Sequence, residues 1–193
     1  MDAKNINPVG VSDNRQVVQF PPETNPCNRR KTNLAPMGRQ NHMASTLVKI
    51  DIHLIFHVKS TSPYIRDCDL VRVCAYISGI IRKTESIPII VNGMSDHIHI
   101  LCSLPKTIVL SDFVRTIKSE SSRWVKGIDK HYAKFAWQEG YGAFSVSPTL
   151  LEKTENYIKN QQEHHKKRSS IDEYKLFLEA HGVSYDEKYA FVD

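Results

Sequence analysis

A chain of 193 residues with 40% hydrophobic content is long enough to bury one sizeable core and short for two, so one domain with appendages is expected. No stretch reaches the roughly 18 apolar residues of a membrane span, the leader lacks the apolar segment of a signal peptide, and four cysteines without a CxxC pair fit reduced thiols; the expectation is a soluble, cytoplasmic protein. The formal net charge of +5 is uneven: residues 1–42 hold six basic and three acidic side chains, residues 43–170 hold 18 and 12, and residues 171–193 hold two and six, so the middle suits a polyanion and the tail is acidic.

Residues 1–42 are rich in Asn, Pro, Arg and Gln without an apolar period, which predicts a disordered leader. Because regular patterning begins just after Met43, that methionine is the expected natural start. Alternation through Val48, Ile50, Ile52, Leu54, Phe56 and Val58 predicts a half-buried strand whose opposite face carries Lys49, Asp51, His53 and His57. Asp67 or Asp69 then opens a helix with the stripe Leu70, Val71, Cys74, Ile77, Ile80 and Ile81, ending near Lys83. Two apolar runs, residues 87–91 and 97–104, flank Asn92-Gly93, which predicts strand, tight turn, strand.

Ser111 opens a second helix with Phe113, Val114, Ile117, Trp124 and Val125 inward and a basic outer side of Arg115, Lys118, Arg123 and Lys126. Residues 143–146 read as a short strand, and Pro148 begins a last helix running to about Arg168. The order predicts an α+β, ferredoxin-like domain over residues 43–170, an antiparallel sheet with two helices on one face and its other face free for a site, followed by an acidic helical tail over residues 171–193.

Residues two apart in a strand point the same way, so His97 and His99 present both imidazoles on one face as preset ligands for one ion. On the last helix, Tyr157 and Gln161 stand four apart and share a face. An amide oxygen added to two imidazoles leaves positions open for phosphodiester oxygens, as a Lewis-acid cation requires. Against this stand blander readings: structural histidines, and an amphipathic helix with a part-buried tyrosine.

Three segments, Gly93-Met-Ser-Asp-His-Ile-His-Ile-Leu101, Trp137-Gln-Glu-Gly-Tyr-Gly-Ala-Phe-Ser-Val-Ser147 and Tyr157-Ile-Lys-Asn-Gln-Gln-Glu-His-His165, resemble the REP-associated tyrosine transposases and their insertion-sequence relatives, the single-tyrosine branch of the HUH nucleases. The resemblance implies that His97 and His99 are metal ligands, Gln161 the third ligand and Tyr157 the nucleophile on the C-terminal helix. It also implies Mg²⁺ or Mn²⁺ as cofactor, single-stranded hairpin DNA as partner, and often a homodimer that shares active sites. Forming a phenolate at neutral pH costs about 4 kcal/mol against a pKa near 10, so a nearby cation or base is needed. The phenolate would attack a DNA phosphate, leaving a 5′-phosphotyrosine and a free 3′-hydroxyl that can later reverse the step.

Weaker expectations concern the periphery. Arg115, Lys118, Arg123 and Lys126 are candidate contacts to the DNA backbone, with a solvated helix face as the alternative. His164 and His165 sit beside Lys166, Lys167 and Arg168 and more readily face phosphates than a metal. His53 and His57 suit a supporting role better than ligation, and Trp137 and Tyr141 suit core packing better than base stacking. A rival from another class is a domesticated hairpin-binding or regulatory protein that does not cut. Replication initiators and relaxases fit the motif order less well.

Overall fold

The computed structural model describes residues 46–161 and 170–186. Its elements are β1 (Ile50–His57), α1 (Asp67–Lys83), β2 (Ile87–Gly93), β3 (His97–Leu104), α2 (Leu110–Lys126), β4 (Gly142–Val146), α3 (Leu151–Lys159) and α4 (Ser170–Ala180). The leader expected to be disordered lies outside the described residues, as do Cys27, His164 and His165. Among the described residues no helix is long and apolar enough to cross a membrane.

The four strands form one antiparallel sheet in the order β2-β3-β1-β4, the ferredoxin-like arrangement predicted from the element order. Strand parity divides the molecule. Ile52, Leu54, Phe56, Ile98, Ile100 and Cys102 point to one face and meet α1 and α2 in the main core, with Ile77, Ile81, Phe113 and Ile117 fully buried. Burying side chains of this size stabilises by about 1.5–3 kcal/mol each. The α1 stripe is Leu70, Val73, Cys74, Ile77, Ile80 and Ile81, and Val71 is 77% exposed. A residue one position past Leu70 has rotated about 100° away from the seam, whereas Val73 keeps the spacing of three and four.

Two elements also differ from expectation in their bounds. Asn92 and Gly93 are not the hairpin turn; both lie in β2, paired with His99 and Ile98, and residues 94–96 make the connection. Met94 N–H donates to the His97 carbonyl at 3.0 Å, so the chain folds back directly on β3. A Cβ on residue 93 would stand 2.2 Å from that carbonyl oxygen, which is why glycine is required there. The last helix does not run unbroken to Arg168: Pro148–Leu150 form a 3₁₀ turn, α3 ends at Lys159, and Asn160 caps it. Asn92 Nδ2 donates to the carbonyls of Ile158 at 2.8 Å and Lys159 at 3.3 Å, satisfying groups that otherwise end a helix without partners.

The second sheet face, expected to be free, is covered. Ile55, Phe144 and Leu178 form a smaller cluster there with Tyr174, Phe177 and Tyr185, so α4 lies across the strands. Residues Ser170, Glu173, Tyr174, Phe177, Leu178 and His181 are spaced three and four apart, the stripe a docking helix needs.

Candidate active site

β3 places His97 and His99 side by side on the face away from α1 and α2, their rings 5.0 Å apart and both residues buried. The hairpin connection is anchored where His97 begins: Val58 N–H donates to the Asp96 carbonyl at 2.7 Å and Ile65 N–H to the Ser95 carbonyl at 2.8 Å. His97 Nδ1 is 2.7 Å from Asp96 Oδ1, and Ser170 Oγ donates to Asp96 Oδ2 at 2.7 Å. Burial would raise the Asp96 carboxyl, but the hydrogen bonds from His97 and Ser170 outweigh it and hold the group well below the usual carboxylate range. His99 Nδ1 lies 2.9 Å from His53 Nε2. With both Nδ1 atoms so engaged, Nε2 is the ring nitrogen through which each histidine could ligate, and both Nε2 atoms are buried.

The third member of this cluster comes from α4. Ligand atoms of His97, His99 and Glu173 all lie within 4.8 Å of one another. Two ligands each about 2.1 Å from one ion are separated by at most about 4.2 Å, so a small side-chain adjustment brings this set onto a cation. Two imidazoles and a carboxylate are also the donor chemistry that a divalent transition ion takes. Glu173 was not legible as a site residue from motif spacing, although a carboxylate inside the apolar stripe of α4 was a usable signal. Burial raises its carboxyl to about 7, against the pull of His97.

Tyr157, on α3, sits over the same place. Its ring is 6.0 Å from that of His99, 6.3 Å from that of His53 and 5.4 Å from that of Phe177, and its hydroxyl donates to Glu173 Oε1. All of these groups belong to one chain. Gln161 is fully buried just beyond α3, past the break at Asn160, so it does not share one continuous helix face with Tyr157. The space bounded by Ile55, His57, His97, His99, Ser170, Glu173, Tyr174 and Phe177 is too tight to admit even a water-sized sphere, because α4 fills the face.

His57 and His53 flank His97 and His99. The His57 ring is 5.5 Å from that of His97 and 5.3 Å from that of Tyr174. His53 is 1% exposed; burial, aided by the charge of His181, lowers its imidazole to about 3 and keeps it neutral.

The basic residues of α2 stand on the other layer. Arg115 and Arg123 are exposed there, as is Lys126, and Arg115 pairs with Asp112. Lys118 instead donates to three carbonyls, of Gln138 at 2.6 Å, Glu139 at 3.1 Å and Gly140 at 2.7 Å, and lies over the Phe56 ring. Burial lowers its ammonium to about 8 although Glu139 opposes the shift. Trp137 is a core residue, edge-on to Phe56 and Phe135 with its indole N–H on Ser121, while Tyr141 is 38% exposed.

Comparison with known proteins adds a family. Residues 46–161 match the family model described as "Transposase IS200 like". No curated protein sequence matches the chain. Among solved structures, a candidate transposase from Deinococcus radiodurans R1 is similar, with 22% identity, a TM-score of 0.48, and coverage of 66% of this chain and 98% of that one. A REP-associated tyrosine transposase bound to a REP hairpin is similar at 13% identity and a TM-score of 0.48, covering 68% of this chain and 74% of that one.

Proposed function

Because the chain belongs to the IS200-like transposase family, we propose that it is a metal-dependent single-strand DNA transposase that cuts and rejoins DNA beside hairpin sequences with Tyr157 as nucleophile. The observation that supports this best is the meeting, within one chain, of the Tyr157 hydroxyl, the Glu173 carboxylate and the His97-His99 pair. The reading therefore needs one subunit, whether or not two copies form the homodimer the resemblance implies.

His97 Nε2, His99 Nε2 and Glu173 would hold a divalent ion, Mg²⁺ or Mn²⁺, with the buried Gln161 amide as a further ligand. Such an ion supplies Lewis acidity toward a phosphodiester oxygen. Tyr157 Oη attacks phosphorus; a P–O bond to the phenol forms and the bond to the 3′ oxygen breaks, so the 5′ end stays on the tyrosine. The Tyr157 hydroxyl is oriented by its hydrogen bond to Glu173 and gives up its proton to solvent as the new bond forms, and the departing 3′ oxygen takes a proton from water to become a hydroxyl. Phenolate is a better leaving group than an alkoxide, so a second 3′-hydroxyl can reverse the attack and join a new strand without ATP. Asp96 and Ser170 hold His97 in place throughout.

Arg115, Arg123 and Lys126 would meet DNA only away from the reaction centre, as backbone contacts on the far layer; their joint replacement should flatten the salt dependence of hairpin binding, and an unchanged slope would remove them from the interface. Lys118 is committed to its carbonyls and contributes there by shaping the loop. The decisive test uses hairpin-bearing single-stranded oligonucleotides from DNA flanking the gene, with Mn²⁺ and a denaturing gel. The wild-type chain should form a covalent adduct and Tyr157→Phe none; an adduct in Tyr157→Phe would overturn the assignment. Coverage of the site by α4 favours a second reading, a hairpin-binding regulatory protein that does not cut. Hairpin binding with no adduct under saturating Mn²⁺ would establish that reading instead.

A further inference from the structure

An imidazole that ligates through Nε2 must carry its proton on Nδ1, and a buried Nδ1–H needs an acceptor. His97 has one in the Asp96 carboxylate. At His99 the Nδ1 atom faces a second imidazole, His53 Nε2, at 2.9 Å. The pairing follows from register, since His53 lies opposite Leu101 and His99 opposite Ile55, which makes the two histidines diagonal neighbours on the same sheet face.

Two neutral imidazoles share one proton in such a bond, and only one arrangement is useful. If His99 accepts, its own proton sits on Nε2 and blocks ligation. If His99 donates, its Nε2 lone pair is presented to the ion, and His53 must keep its proton on Nδ1. The His53 ring is held for this purpose: its plane lies 25° from that of His99 with centroids 5.1 Å apart, the near-coplanar, end-to-end placement an N–H···N bond needs, and it meets Phe177 edge-on at 5.1 Å and lies 6.5 Å from Phe144. It also touches the Tyr157 ring, so one side chain braces a ligand and the nucleophile together.

We propose that His53 is a positioning residue that accepts the Nδ1 proton of His99 and thereby aims His99 Nε2 at the metal. The proposal rests on the metal-site reading above. His53 itself touches neither ion nor DNA in this role. An aliphatic residue at position 53 leaves a buried N–H without its acceptor whenever His99 ligates, whereas a glutamine offers an amide oxygen in a similar place.

Mn²⁺ binding to the whole chain, measured by calorimetry for wild type, His53→Leu and His53→Gln, tests this together with melting temperatures. The expected result is a roughly 10- to 100-fold weaker affinity in His53→Leu and recovery to within about threefold in His53→Gln, whatever the change in melting temperature. A role confined to packing would not separate the two variants by affinity. If folded His53→Leu binds Mn²⁺ as tightly as wild type, the positioning role is overturned while the metal site stands; if wild type binds no Mn²⁺, the metal-site reading falls and this one with it. Imidazole ¹⁵N shifts in the metal-free wild-type chain give a check that does not depend on any variant folding. His99 should be the Nδ1–H tautomer, and an Nε2–H tautomer would overturn the proposal.

Discussion

Replacing Gly93 by alanine probes how far the fold and the reaction centre are one object. The added methyl would lie 2.2 Å from the His97 carbonyl oxygen and 2.9 Å from Ile98 Cα, both backbone atoms, and real Cβ contacts essentially never fall below 3.0 Å. The start of β3 must therefore retreat by something on the order of 1 Å, an overpacking that costs about 1–3 kcal/mol. For a unit of this size that is a fall in melting temperature of about 2 to 12 °C. The same displacement moves His97, whose ring is otherwise pinned by Asp96, and a misplacement of this scale in a reacting constellation lowers rates about 100-fold. Circular dichroism melts and adduct formation on a denaturing gel read the two effects separately. If Gly93→Ala keeps both the wild-type melting temperature and the wild-type adduct rate, the close approach does not exist in solution and the account of the hairpin is wrong.

Two other substitutions address neighbouring claims. Glu173→Gln keeps the shape of the side chain and removes its charge, so Mn²⁺ affinity measured by calorimetry should fall about tenfold or more; unchanged affinity would move the third ligand elsewhere, with Gln161 the first candidate. Because burial holds the wild-type Glu173 carboxyl up at about 7, the proton is bound below that pH and lost above it, so Mn²⁺ affinity should rise as pH increases through about 7, and Glu173→Gln should lose that part of the slope. Lys118→Met removes the donor to three carbonyls of residues 138–140 and should cost about 2 kcal/mol in urea denaturation, leaving Mn²⁺ affinity as it was. A loss under about 0.5 kcal/mol would mean that water replaces the ammonium at no expense.

The parts of this architecture legible in the sequence are those set by local periodicity. Alternation along residues 50–58 and 97–104 and the spacing of three and four in α1 and α2 specify the strands, the helices and the face each buries, and they put His97 and His99 on one side of β3 before any packing is known. Exceptions were local too. Val71 entered the expected stripe because hydropathy alone does not distinguish it from Val73, and Asn92-Gly93 resembled a turn although its glycine answers a close approach of backbone and its asparagine reaches forward to α3.

What the linear order left undecided is everything that depends on segments far apart meeting. Glu173 lies 74 residues after His99, and no spacing rule connects them; only the docking of α4 through Tyr174, Phe177 and Leu178 onto Ile55 and Phe144 brings its carboxylate to the histidines and to the Tyr157 hydroxyl. The same docking covers the face that periodicity alone predicted to be open. His53 is likewise a polar position on an alternating strand until β1 pairs with β3, when it becomes the partner of His99. Side-chain direction is a property of the local backbone and can be read from residue order, whereas distance between remote groups is set by how whole elements pack, and that information is not carried by any one stretch of chain.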